Sequence, residues 1–272
     1  MSNIIMNREI TIRIGFFFGI LILLAIWELF KPRRELVTSK KLRWFNNLII
    51  VLLDSMIVRV LFPLVPMSIA LLAQEQGWGL LNHLDVSHLL EAVIALIVLD
   101  FVIYLQHVLF HAIPFLWRFH MVHHVDLDLD VTSGVRFHPI EIILSTGIKL
   151  TTVGLLGLPA MAVLIFEILL NGTSMFNHSN VFIPLNLDRI IRLLIVTPDM
   201  HRVHHSVILK ETDSNYGFTL SWWDRLLCTY RAQPEKGHQG MTIGLSRFLD
   251  ERRQSLLWLL ILPFLKKAKK NT

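Results

Sequence analysis

The chain has 272 residues, 53% of them apolar and 17% charged, with a mean hydropathy of +0.55. That composition excludes an ordinary soluble domain, and the several long apolar runs exclude a single cleaved signal peptide. The net charge of +5 does not make a nucleic-acid surface, because the cations crowd beside apolar segments rather than alternating with aromatics, and the lone Cys228 excludes an internal disulfide and a cysteine-built metal site.

A helix needs about 20 mostly apolar residues to cross a bilayer. Residues 14–30 come near that length, with Glu28 close to the end. The next loop collects Lys31, Arg33, Arg34, Lys40, Lys41 and Arg43. Residues 48–73 read as a second span, although they carry Asp54, Arg59, Pro63 and Pro66. The loop 74–88 holds no Lys or Arg. That asymmetry places loop 31–43 in the cytoplasm and loop 74–88 outside. The segment 89–110, with Asp100 inside it, then returns to the cytoplasm. Residues 140–170 are apolar with a break at "GLP", 157–159. Lys266, Lys267, Lys269 and Lys270 read as a basic tail at the membrane surface.

The histidines are the most specific feature. "HVLFH" sets His107 and His111 four apart, and "HMVHH" and "HRVHH" repeat one spacing at His120, His123, His124 and at His201, His204, His205. On a helix, positions i, i+3 and i+4 share a face, so each cluster aims its imidazoles to one side. In "VTPDMHRVHH", Thr197 reads as an N-cap and Pro198 as the first helical residue. Asp100, Tyr104, His107 and His111 follow one helical stripe. An aspartate is costly inside a membrane segment, and Asp100 is expected to accept the free N–H of His107 or of a neighbouring imidazole. His83, His88 and His238 read as ordinary surface residues.

The clusters can meet only if residues 140–170 turn back at 157–159; a single crossing would leave His201–His205 on the opposite side. The expected fold is therefore all-α: an integral membrane bundle of four or five helices or hairpins, under a cytoplasmic helical cap that carries a histidine-rich dimetal site. Membrane helices occupy 1–88, a catalytic unit 89–232, and an interfacial helix with a basic tail 233–272. Without a ligand, eight converging imidazoles would repel when charged or leave ring nitrogens unpaired when neutral. Eight are too many for one ion and suit two. Imidazole accepts iron, copper, nickel or zinc. The reactants within a membrane are acyl chains, sterols and other hydrocarbons, and attack on their C–H bonds needs redox chemistry that zinc lacks. Two irons can use O2 to make an alcohol or, by removing a second hydrogen, an alkene.

An ordered set of motifs, "DFVIYLQHVLFH", "LWRFHMVHH", "RFHPIE", "FNHSN", "TPDMHRVHHS" and "NYGFTLSWWDRLLCTY", spans 94–230. As a set it resembles the membrane fatty acid hydroxylase and sterol desaturase superfamily of non-haem di-iron enzymes, its bacterial members in particular. The resemblance implies two irons held by His107, His111, His120, His123, His124, His201, His204 and His205. His178, in "FNHSN", matches a position used as a further ligand. His138 matches "RFHPIE" and is expected to tie its loop to the following helix. Asp100, Tyr104, Asp199 and Asp224 are expected to orient ligands or organise loops, and Trp222 and Trp223 to anchor at the membrane interface. The first motif has the HxxxH spacing of sterol-desaturase-like members, with Val108 where an arginine is often found. The resemblance further implies a membrane lipid substrate, O2, and electrons from a separate protein of ferredoxin or cytochrome b5 type, with zinc able to replace iron in purified samples. The location it implies is a bacterial inner membrane, or the ER membrane in a eukaryote. Two other readings stay open: a zinc-dependent membrane hydrolase of a lipid ester or phosphate, and a non-catalytic metal-handling protein. The lipid, the carbon attacked and the choice of alcohol or alkene are open as well.

Overall fold

In the structure, a computed structural model, residues 2–265 are described; the basic tail from Lys266 lies outside them. Helix α1 (Ser2–Phe30) runs unbroken. Helix α2 (Lys40–Leu61) starts in the basic loop and stops at Phe62, which is held extended before Pro63. Pro66 then opens the shorter α3 (Pro66–Gln76). The stretch 48–73, expected as one span, is thus two helices, because prolines outweigh its continuous hydropathy. Helix α4 (His88–Ala112) begins where Ser87 Oγ accepts the Leu90 N–H at 3.4 Å. It ends at Ile113, extended before Pro114, and Pro114 opens α5 (Pro114–His124) at a new angle.

Helix α6 (Pro139–Leu156) and α7 (Ala160–His178) form the expected hairpin. Gly157 turns the chain at φ +64°, and Pro159 precedes α7. Gly79 lies against that turn so closely that a Cβ would collide with the Gly157 backbone. Loop 74–88 and the hairpin turn therefore share one end of the bundle. The basic loop lies at the other: the Arg33 N–H donates to Asn180 O (2.7 Å) and the Phe182 N–H to Lys31 O (2.9 Å), just beyond α7.

The remaining short helices cap that second end: α8 (Leu185–Ile191), α9 (Pro198–His204), α10 (Leu209–Thr212), α11 (Trp222–Leu226), α12 (Gly237–Gly240) and α13 (Leu256–Ile261). Among the described residues there are no strands, only isolated bridges such as Ile195 with Leu220. The fold is all-α, with five stretches among the described residues long and apolar enough to cross a membrane. Side chains such as Phe16, Phe18, Ile22 and Leu23 on α1 are exposed, as lipid-facing residues are.

One loop welds the cap to the bundle. Asp126, Asp128 and Asp130 are fully buried around the Arg43 guanidinium from α2. Arg43 donates to Asp126 Oδ1 (2.8 Å), Asp130 Oδ2 (2.7 Å) and the Asp128 carbonyl (2.8 Å). Arg136 reaches Asp126 at 3.3 Å from the opposite side. Burial alone would push the Asp126 carboxyl up, but Arg43 and Arg136 outweigh it and hold it down at about 2. Glu28, near the end of α1, accepts the N–H groups of Val131 (2.7 Å) and Asn180 (2.8 Å). These contacts fix the backbone on either side of the histidine clusters.

Candidate metal centre

The four histidine-bearing helices converge beneath the cap, and nine buried imidazoles form two groups. His107, His111, His120, His124 and His204 make one; His123, His178, His201 and His205 make the other. Within each group the ligand-capable atoms all lie within 4.8 Å of one another. The structure thus brings together all eight residues of the repeated motifs, and His178 joins them.

Sequence spacing led us to expect each HxxHH to serve one side. The structure splits it: His120 and His124 enter the first group while His123 enters the second, and His201 and His205 enter the second while His204 crosses to the first. Helical geometry explains this. At about 100° per residue, i+4 lies about 40° from i, whereas i+3 lies about 60° away on the other flank. The i, i+4 pair shares a centre and the i+3 residue reaches the neighbouring one.

Local anchors orient the rings. The Nδ1 atoms donate to Tyr216 O from His107 (2.7 Å), to Arg136 O from His123 (3.1 Å), to Ser174 O from His178 (2.6 Å) and to Ser214 O from His204 (2.7 Å). His120 Nδ1 meets Glu141 Oε1 at 2.7 Å, and His111 Nδ1 meets Asp213 Oδ1 at 3.3 Å. A carbonyl only accepts, so each ring bound to one carries its proton on Nδ1 and leaves Nε2 bare. Burial first, and neighbouring imidazoles second, keep His123, His124, His201, His204 and His205 well below the ordinary imidazole range. Neutral rings are what a metal needs.

The bare nitrogens face one another. Nε2 of His178 lies 2.9 Å from that of His123, 3.2 Å from that of His201 and 3.1 Å from that of His205. In the other group, Nε2 pairs at 3.1 Å join His107 to His120 and His111 to His124, and His204 Nε2 is buried with no hydrogen-bond partner. His123 and His178 both hold their protons on Nδ1, so their 2.9 Å contact sets lone pair against lone pair. Only a cation between them makes that arrangement favourable. The spacing suits one: adjacent nitrogens each bound at about 2.1 Å to a single ion would stand roughly 3 Å apart. The donor set fits two ions with imidazole preference.

Several supporting roles differ from expectation. Asp100 serves no imidazole: its Oδ2 accepts from Trp223 Nε1 (2.8 Å) and the Leu220 N–H (3.2 Å). Trp223 is therefore a structural tie rather than an interface anchor, while Trp222 is exposed. Tyr104 bonds Thr229 Oγ1 (2.8 Å), again no imidazole. Asp199 binds Arg33, Arg202 and His238. His238, expected at the surface, is buried. His83 and His88 are exposed, as expected. Asp224 organises its loop, accepting the Tyr216 and Gly217 N–H groups at 2.8 and 2.9 Å and so presenting the Tyr216 carbonyl to His107. His138 caps α6 by accepting the Ile140 N–H (3.2 Å), and its Nε2 donates to Leu260 O (3.2 Å). Sequence reasoning missed Glu141 and Asp213 as anchors. Glu141 stood in the quoted "RFHPIE", three residues after His138 in the first turn of α6, which was a usable signal; Asp213 carried none.

The pattern of the fatty acid hydroxylase family matches residues 92–229. The ornithine lipid hydroxylase OlsE of Rhizobium tropici is 28% identical over 92% of this chain and 74% of its own length. Alkylglycerol monooxygenase of Homo sapiens is 28% identical over 55% of this chain and 32% of its own. Cholesterol 25-hydroxylase of Rattus norvegicus is 26% identical over 62% and 56% respectively. No solved structure matches the chain.

Proposed function

The chain belongs to the fatty acid hydroxylase family, and from that footing we propose that it is an O2-dependent hydroxylase of a membrane lipid. Its nine imidazoles would hold two irons: His107, His111, His120, His124 and His204 one, His123, His178, His201 and His205 the other. The observation that carries this reading is the pair of buried, charge-neutral nitrogen cages with bare nitrogens turned inward. Bound there, iron supplies the redox chemistry that C–H hydroxylation requires and that zinc lacks. The balance is one lipid C–H bond, O2, two electrons and two protons giving C–OH and water. The named relatives act on an ornithine lipid, an alkylglycerol and cholesterol, and a lipid substrate for this chain follows by analogy.

The protein's own residues supply orientation and dryness. Glu141, Asp213 and four carbonyls hold the Nδ1 side of six rings so that Nε2 points inward. Phe137 stacks on His123 with centroids 4.5 Å apart, and Phe218 lies 5.1 Å from His107. These apolar walls keep water from the centre. Electrons would come from a separate ferredoxin or cytochrome b5-type protein. The lysine and arginine bias of loop 31–43, at the histidine end, against a loop 74–88 without either supports a cytoplasmic face in a bacterial inner membrane.

The test is turnover of purified, iron-loaded protein in lipid vesicles with a reductant and 18O2. A lipid product 16 Da heavier in air and 18 Da heavier under label is expected. Product formed without O2 or reductant would instead establish hydrolysis.

A further inference from the structure

Outside the imidazoles and the Arg43 network, a second cluster of charge lies around Asp199 in the first turn of α9. Arg33 Nε donates to both Asp199 oxygens at 2.9 and 3.0 Å, Arg202 Nη1 donates to Oδ1, and His238 Nε2 stands 3.5 Å from Oδ2. Arg34 completes the cluster, and its Nη1 donates to the carbonyls of His238 (3.4 Å) and Met241 (3.2 Å). The carboxylate that acts on Arg34 is Asp128. Its Oδ2 is already occupied by the Val37 and Thr38 N–H groups and the Thr38 hydroxyl. Among the described residues, three guanidiniums thus meet two carboxylates, one of them committed to a loop.

Several guanidinium donors are also left over, although Asp128 Oδ1 is buried without a hydrogen bond as well. Arg202, 1% exposed, has a buried Nε with no acceptor, and Arg34 Nε is in the same state; buried His238 has only its longer 3.5 Å contact with Asp199. Buried donors without acceptors mark a place where an ion or group completes the network. Guanidinium forks match the oxygens of a phosphate in particular.

The surroundings narrow the source. The cluster reaches the surface at Arg33 and Arg34, at the end of α1. Phe182, beneath the Arg33 guanidinium at 5.8 Å, is exposed there, as are Phe30 and Leu185. We propose that Arg33, Arg34 and Arg202 bind a phosphate group at the membrane boundary, carried by a phospholipid whose chains lie on Phe30, Phe182 and Leu185, or free in solution. The site is separate from the imidazole cages, and the proposal stands whether or not they hold metal.

The test uses full-length, metal-loaded protein in a maltoside detergent, in phosphate-free buffer at fixed ionic strength. Equilibrium dialysis reads labelled inorganic phosphate; thermal unfolding compares short-chain phosphatidylglycerol with the diacylglycerol that lacks its phosphate. Saturable phosphate binding identifies a site for the free anion. A rise in Tm with the phospholipid alone identifies the headgroup. In either case Arg34→Gln weakens the effect about tenfold, Arg34→Lys keeps part of it, and Arg189→Gln, an exposed cation on α8, leaves it intact. No response to either phosphate source, an equal response to diacylglycerol, or an Arg34→Gln variant that binds as wild type overturns the proposal. Should Arg34→Gln fail to fold, the wild-type dialysis and lipid comparison decide alone.

Discussion

The five-imidazole cage and the four-imidazole cage draw on the same two HxxHH motifs but are anchored by different chemistry. In the first, Glu141 and Asp213 hold His120 and His111 from behind, alongside the carbonyls that hold His107 and His204. In the second, only carbonyls serve, at His123 and His178, and the Nδ1 atoms of His201 and His205 are buried without a hydrogen bond. A carboxylate behind an imidazole raises its basicity and fixes its plane; a ring without an anchor is held by packing alone. Two ions held in these cages would therefore not be equivalent. The five-nitrogen cage should hold its ion more firmly, and the four-nitrogen cage should be the one that exchanges or changes coordination.

Removing a ligand from each cage should have the largest effect. His123→Ala reduces the smaller cage to three nitrogens, and turnover should fall by more than about a hundredfold, beyond the range of anchor losses. Metal content should drop from two ions to about one. His204→Ala leaves four nitrogens in the larger cage and should retain more metal than His123→Ala. Equal metal loss from the two variants, measured by plasma mass spectrometry, would show the cages to be alike.

Arg43→Gln tests what the cages share. It takes the guanidinium away from Asp126 and Asp130 in the buried loop that leads to Arg136, whose carbonyl anchors His123. Loss of one partner from a buried ion network costs about 3–5 kcal/mol, and thermal unfolding should show a matching loss with metal leaving both cages together. Glu141→Gln sharpens the contrast between them. It keeps the shape but replaces the carboxyl that holds His120 with an amide, so metal affinity should fall about tenfold in the five-nitrogen cage alone, as read by competition with a chelator. The smallest effect is expected from Asp100→Asn. Asp100 holds Trp223 and Leu220 and no imidazole; a stability loss of about 1 kcal/mol with unchanged metal content is the expected outcome.

Local signals in the sequence located the elements well and their partners poorly. Thr197 and Pro198 announced α9, and Thr197 Oγ1 accepts the Met200 N–H at 3.3 Å as an N-cap should. Gly157 and Pro159, with the need for the clusters to meet, announced the hairpin. Pro63 and Pro66 were visible too, but a continuous apolar run masked the break they impose. What could not be read was anything set by long-range packing. Asp100 finds Trp223 across 123 positions, and helical period alone does not say that His123 and His204 lean to opposite centres. His238 resembled any isolated surface histidine until α12 folded over Asp199.

The proposed function requires two ions in two separate nitrogen cages. An anomalous-scattering map of crystals of the anaerobically purified protein, collected on both sides of the iron edge, tests it most directly. Two iron peaks are predicted, one bounded by His107, His111, His120, His124 and His204 and the other by His123, His178, His201 and His205. A single peak shared by all nine rings, or metal bound elsewhere with the rings facing one another empty, would contradict it.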